Sequence, residues 1–311
     1  MKLSVIIVSF NTKDLMIQTL DSLKLSLEHG AKVIFDFKYE VIVVDNASVD
    51  GVTKDIKTAY SWVKLIESKG NLGFSKANNL GVRKSNKAFE YVLFLNNDVK
   101  LNKDTIYKAC KYIESNNKEN IGVLTCRVDL WIGGIDIDCH RAFPSVYNSF
   151  CYFSGLEKVL GKALPVFFGR YHMLYKDLST THEIDVCLGA FMLVPRNVGN
   201  RINWWPEEYF LNGEDVDFCY QIKRILGLKI IYYPETSIIH YKGASKGTKG
   251  TSRAFTTASK KTKLKQISSG LNAMKVFYNK YYAPTNPFVI NYLVYLGIYF
   301  LSLKRKLLRR E

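Results

Sequence analysis

Apolar and polar positions along this chain follow two different periods, and the switches between them lay out a fold. Short runs rich in β-branched and aromatic residues lie at Leu3 to Ser9, Tyr39 to Val44, Val63 to Glu67 and Tyr91 to Leu95. Near-continuous apolar runs of this length are expected of strands buried on both faces. Between them Leu15, Leu20, Leu23 and Leu27 mark one helical face, Ser48 and Asp50 can cap a second helix, and Ala77 to Val82 belong to a third. Repeated βα units predict an α/β fold, a Rossmann-like and mostly parallel sheet with helices on both faces. The crevice of such a sheet lies beyond the carboxyl ends of its strands, where Asn11, Asp45-Asn46 and Asn96-Asn97-Asp98 fall.

The pattern loosens from Asp129 to Asp185, a stretch with many aromatics and with Gly133-Gly134, Gly155, Gly161 and Gly169. It reads as an insertion that shapes the acceptor side of the crevice. Periodicity returns in Val186 to Val194, ended by Pro195, then in a helix from Glu214 to Leu226 and strands at Lys229 to Tyr233 and Ser237 to Tyr241. Residues 1–250 therefore form one α/β domain, and 251–311 a C-terminal helical extension. Within that extension Phe288 to Leu303 is apolar, interrupted by Asn291 and Gly297 and followed by the basic run 304–310. A spanning helix needs about 20 apolar residues. This shorter, tyrosine-rich stretch with trailing cations suits a helix lying in a membrane interface, the alternative being a buried terminal helix with a solvated tail.

Composition narrows the partners. The 311 residues are 47% hydrophobic and 23% charged, ordinary for a globular core, and the net charge of +16 favours polyanions: nucleic acid, anionic headgroups or diphosphate-bearing substrates. Lys260, Lys261, Lys263 and Lys265 add to a basic surface that can meet lipid headgroups or an acceptor diphosphate. Six scattered cysteines, Cys110, Cys126, Cys139, Cys151, Cys187 and Cys219, include no CxxC pair. They read as reduced core thiols, not as a zinc site or a disulfide scaffold. The apolar start at Met1 turns after a handful of residues and has no small-residue cleavage site, so it reads as a first strand instead of a signal peptide.

Several polar positions can carry chemistry. Asp45, at a strand end, can accept a hydrogen bond from a base N–H or a ribose hydroxyl, or can serve as an Asx turn launching the next helix. In Asn71 to Gly81, Gly73 permits close backbone approach, Ser75 can cap a helix facing an anion, and Lys76 can supply positive charge. Asp98 ends the strongest strand and offers a hard oxygen to a divalent ion, with His240 at another strand end as a second ligand or as a structural histidine. Glu214-Asp215 opens a helix and can complement its dipole. The preceding rings Trp204, Trp205, Tyr209 and Phe210 also suit a wall against a sugar, beside which a carboxylate can take the proton of an attacking hydroxyl.

The order of motifs Val-Ile-Ile-Val-Ser-Phe-Asn (5–11), Val-Val-Asp-Asn-Ala-Ser-Val-Asp-Gly (43–51), Asn-Leu-Gly-Phe-Ser-Lys-Ala-Asn-Asn-Leu-Gly (71–81), Leu-Asn-Asn-Asp (95–98), Gly-Ala-Phe-Met-Leu-Val-Pro-Arg (189–196) and Gly-Glu-Asp-Val-Asp-Phe-Cys (213–219) resembles glycosyltransferase family 2. The likeness is closest to its rhamnosyltransferase-like branch, of GT-A fold, and covers roughly residues 1 to 245. The resemblance implies that Phe10 and Asn11 line the base and ribose pocket and that Asp45 holds the uracil or thymine ring. It implies that Asn71, Gly73, Phe74 and Asn78 flank the nucleotide sugar, with Asn97 beside it. It further implies Asp98 and His240 as ligands of Mg²⁺ or Mn²⁺ and Asp215 as the catalytic base. The sequence departs from the family at Asn96, where many members carry the first Asp of a DxD pair. A glycosyltransferase of this kind moves a sugar with inversion from a dTDP- or UDP-sugar, rhamnose from dTDP-rhamnose being one such donor. The acceptor is a glycan or lipid-linked glycan in cell-surface polysaccharide synthesis, met at the inner, cytoplasmic face of the membrane.

Three other classes share some of these features. A nucleotidyltransferase would carry a Gly-rich phosphate loop after its first strand, and Ser9-Phe10-Asn11-Thr12-Lys13 is not one. The aromatics form no RNP-like or zinc-finger pattern, so nucleic acid is not the expected partner. A catalytically silent module that binds nucleotide sugar without releasing the diphosphate is the remaining alternative.

Overall fold

The computed structural model describes residues 1–242 and 260–307. The loop at 243–247 and the side chains of Lys260, Lys261, Lys263 and Lys265 and of the basic run 304–310 lie outside the described residues.

Among the described residues nine strands form one sheet: β1 (Lys2–Ser9), β2 (Lys38–Asp45), β3 (Val63–Glu67), β4 (Tyr91–Asn96), β5 (Val99–Leu101), β6 (Ile121–Leu130), β7 (His182–Ile184), β8 (Phe191–Pro195) and β9 (Lys229–His240). Their order is β3-β2-β1-β4-β8-β6-β9-β5, with β7 also on β9. Buried branched residues such as Val5, Ile6, Ile42, Val43, Val92 and Leu93 make the first half, where β3, β2, β1 and β4 are parallel as the periodicity predicts. From β8 onward the sheet is mixed. β8 lies antiparallel to β4 and β6, β6 and β9 are parallel, and β5 and β7 cover one edge of β9 in antiparallel pairing. The two sequence runs at 229–233 and 237–241 are one strand. Opposite Cys126/Arg127 its register jumps from Tyr233 to Ser237, so Pro234-Glu235-Thr236 form a bulge, the place where a strand tolerates a proline.

Helices α1 (Lys13–Val33), α2 (Val52–Ala59), α3 (Phe74–Lys84) and α4 (Thr105–Ser115) follow the first strands. The apolar face read from the sequence is the buried one, with Leu15, Leu20, Leu23 and Leu27 at 5% exposure or less. Asp50 does prepare α2, its Oδ1 accepting from Val52 N while Oδ2 accepts from Lys13 N. Ser75 does not cap α3. The helix begins one residue earlier, at Phe74, and the Ser75 side chain is buried in its first turn. The insertion carries α5 (Val146–Ser154), α6 (Leu156–Leu160), α7 (Pro165–Phe168) and β7. Beyond β8 come α8 (Arg196–Arg201), α9 (Glu214–Tyr220), α10 (Lys260–Tyr281) and α11 (Phe288–Leu307).

The aromatic run before α9 belongs to the core, not to a sugar-facing wall. Phe94 is surrounded by Trp204, Trp205 and Phe218 with ring centroids 5.7, 5.1 and 6.2 Å away, and Trp205 is 1% exposed. Edge-on packing of this kind is worth about 0.5–1.5 kcal/mol per pair beyond area burial, and it props the sheet from beneath the crevice. Of the four rings only Phe210 reaches the cavity. The six cysteines are free and buried, as read from the sequence, with Cys187 Sγ 3.7 Å from Cys219 Sγ.

Candidate functional site

Strand register brings the two metal-ligand candidates together. β4 ends at Asn96, the chain turns through Asn97-Asp98, and β5 pairs with β9 so that Val99 stands opposite His240. Tyr241 N then donates to Asp98 O at 2.9 Å, and His240 Nε2 lies 3.3 Å from Asp98 Oδ1 and 3.4 Å from Asn96 Nδ2. On the other side of the imidazole, Nδ1 faces Asp136 Oδ2 at 3.7 Å. Lys242 Nζ bonds Asp136 Oδ1 at 2.6 Å and also bonds Asp138. Burial opposes a charge on His240, but Asp98 and Asp136 outweigh it and hold the imidazole up to about 9. Burial likewise works against the Asp136 carboxylate, yet His240 and Lys242 hold it below the usual range.

Asp215 arrives from a helix start. Gly213, at φ +86°, turns the chain into α9 so tightly that a Cβ there would sit 2.7 Å from Ala273 Cβ of α10. Asp215 Oδ1 accepts from Val216 N at 2.9 Å, and Oδ2 accepts from Arg141 Nη2 at 2.5 Å.

One cavity of about 2000 Å³ joins these groups. Phe10, Asn71, Gly73, Phe74, Asn96, Asn97, Asp98, Asp215 and His240 line its polar part, and Phe153, Phe277, Leu293, Ile298 and Leu301 line an apolar part between α5 and the α10–α11 pair. Lys76 is exposed and is not among its lining residues.

Asn11, Asp45 and Asn78 are likewise not among the lining residues, and each has a local role. Asn11, in the left-handed region at φ +52°, accepts from Val49 N at 2.9 Å. Asp45 Oδ2 accepts from Ser48 N at 2.9 Å, the Asx-type turn weighed from the sequence, while Oδ1 is buried without a partner. Burial, with Asp50 and Glu67, raises its carboxyl against the pull of Ser48. Asn78 Nδ2 donates back to Phe74 O at 3.0 Å. Gly73 does meet a close backbone, but it is the protein's own: a Cβ there would lie 2.6 Å from Phe210 O.

Residues that pattern reading missed are Arg141, Asp136, Asp138 and Lys242, while Asn46, placed in the crevice from the sequence, lines the cavity. Asn46 clamps the 72–73 turn, with Nδ2 donating to Gly73 O at 3.1 Å and Oδ1 accepting from Leu72 N at 2.9 Å. The Asp136/Asp138 spacing and the lysine two residues after His240 were visible, but nothing in the sequence aimed them at each other.

A hard divalent cation fits the Asp98–His240 pair. Asp98 Oδ1 is buried with no hydrogen-bond partner, and it sits beside an imidazole nitrogen. Among the described residues no group of three His, Cys, Asp or Glu makes a complete cage, so the remaining ligands would be oxygens of a bound diphosphate and water.

The family profile for glycosyl transferase family 2 matches residues 4–180. Rhamnosyltransferase WbbL of Escherichia coli (strain K12) is 28% identical over 243 residues, 76% of this chain and 82% of the relative. The low-salt glycan biosynthesis hexosyltransferase Agl10 of Haloferax volcanii is 28% identical over 187 residues, 60% of this chain, and the match spans about half, 53%, of that relative. Among solved structures, mannosyltransferase PcManGT from Pyrobaculum calidifontis, in complex with GDP-Man and Mn²⁺, shares the GT-A fold. Its TM-score is 0.53 at 17% identity, over 97% of this chain and 80% of that one.

Proposed function

Because the chain belongs to glycosyl transferase family 2 and is a glycosyltransferase of its rhamnosyltransferase-like branch, we propose that it moves a sugar, with inversion and with help from Mg²⁺ or Mn²⁺, from a nucleotide diphosphate to a hydroxyl of a glycan or lipid-linked glycan. The observation that carries this reading is the shared wall: Asp98, His240 and Asp215 line one cavity with Phe10, Asn71 and Phe74.

Asp215 is the base. It takes the proton of the acceptor hydroxyl, whose freed electron pair attacks the anomeric carbon from the face opposite the diphosphate, and the diphosphate leaves with the pair of the broken bond. Asp98 and His240 would hold the metal. When bound, such a cation neutralises the charge that grows on the leaving oxygen. Phe10, Asn71, Gly73, Phe74 and Asn97 shape the donor pocket, with Asn11, Asp45 and Asn78 fixing the loops around it. The relatives named above act as a rhamnosyltransferase and a hexosyltransferase, which favours dTDP-rhamnose or a UDP-hexose as donor.

The size and lining of the cavity support an amphiphilic acceptor. At about 2000 Å³ it exceeds the roughly 300–1,000 Å³ of ordinary small-ligand pockets, and the surplus is apolar. Among the described residues no helix is long and apolar enough to cross a membrane, so the proposed contact with the inner membrane face is peripheral, through α11.

The test is release of nucleoside diphosphate by Asp215→Asn, with donor binding followed in parallel. Turnover should fall by roughly two to four powers of ten while donor binding is kept. Near-normal turnover would remove Asp215 from this role, and chelation without loss of activity would remove the metal.

A further inference from the structure

The carboxylate assigned above as the base is not free in the cavity wall. Arg141 and Asp215 form an ion pair whose side chains are 10% and 14% exposed, close to water but largely shielded from it. The arginine is rigidly mounted. Its backbone exchanges hydrogen bonds with Val186, N to O at 3.1 Å and O from N at 2.9 Å, tying the insertion to the segment that leads into β8. Its Nη2 donates both to Cys187 O at 3.2 Å and to Asp215 Oδ2 at 2.5 Å. With Val216 N on Oδ1, each carboxylate oxygen of Asp215 has one fixed donor. One lone-pair direction on each oxygen is left over for a substrate proton.

Resting on the reading of Asp215 as the base, we propose that Arg141 is its positioning residue: through Nη2 it fixes the direction of the carboxylate in the cavity wall. The contact is a single one, Nη2 to Oδ2, and the arginine's bonds to Val186 and to Cys187 O hold that donor in place. Asp138, which also bears on Arg141, is bonded by Lys242 and does not compete for the same guanidinium nitrogen.

A double-mutant cycle tests the assignment. Arg141→Met should lower turnover about 10- to 100-fold with little change in donor KM. Arg141→Lys should also turn over more slowly with donor KM kept, since an amine on a flexible stem cannot hold one donor on both Cys187 O and Asp215 Oδ2. Arg141→Met/Asp215→Asn, which leaves neither charge buried alone, should be no slower than Asp215→Asn. A donor KM that rises in step with the fall in turnover of Arg141→Met, or losses that multiply in the double variant, would overturn the proposal. A fully active Asp215→Asn would instead overturn the base assignment itself, so the two failures are told apart.

Discussion

His240 shows how one residue answers to two opposing demands. With its imidazole held up to about 9 by Asp98 and Asp136, its ion pairs are fully present below the unfolded pKa near 6.5 and are lost as pH rises through about 9. The metal-free protein is therefore expected to lose up to about 3 kcal/mol of stability across that window, since each pKa unit is worth about 1.4 kcal/mol. Metal binding should strengthen over the same range, because the cation must displace the proton. Unfolding midpoints and Mn²⁺ affinity measured from pH 6 to 9.5 check both slopes, and His240→Gln should flatten each. Asp98, His240 and Asp215 were legible because each ends an apolar strand or starts a helix. Arg141 and Asp136 were not. They come from an aperiodic insertion: Arg141 is directed by its pairing with Val186, and Asp136 by the turn that returns its backbone to Val128 O, neither of which a local pattern encodes.

At the scale of elements, the acidic start of α9 divides its labour. Asp215 faces the cavity, while Asp217, two residues on and 0% exposed, accepts from Tyr209, Gln221, Lys280 and Tyr281 at 2.6–2.9 Å. Lys280 and Tyr281 belong to α10, so this carboxylate docks the C-terminal helices onto α9. Removing a buried, fully paired carboxylate strands its partners and costs about 3–5 kcal/mol. Asp217→Ala should lose stability of that order in a urea titration and speed amide exchange through 269–281; unchanged exchange there would show that α10 is held elsewhere. Periodicity identified α9 and α11 as helices but not this docking. It also split β9 in two, since a proline-bearing bulge looks like a break in one dimension. Asn291, read as an interruption of an apolar stretch, ties α11 to α10 through Tyr278 Oη at 2.6 Å and to the intervening turn through Ala283 O at 3.0 Å.

For the molecule as a whole, two sets of exposed apolar side chains flank the cavity. Phe288, Tyr292, Leu293 and Phe300 of α11 are 53–82% exposed, and Val146, Tyr147 and Phe150 of α5 are 46–61% exposed. Together with a net charge of +16, this surface is expected to bind anionic vesicles at low ionic strength and to release them as salt rises. Phe288→Glu and Phe300→Glu should each weaken binding by roughly tenfold, because burying one such ring is worth about 1.5–3 kcal/mol. A protein that ignores such vesicles in a sedimentation assay without detergent would leave α11 as a wall of the cavity and nothing more.

The pairing of β5 with β9 also sets a schedule for synthesis. Strands β1 to β4 lie within the first 96 residues and can associate while translation continues, but Val99 meets His240 only after 240 residues have been made. Until then a nascent chain carries Asp98 without its imidazole neighbour, so the parallel half of the sheet can take shape on the ribosome well before the proposed metal pair exists.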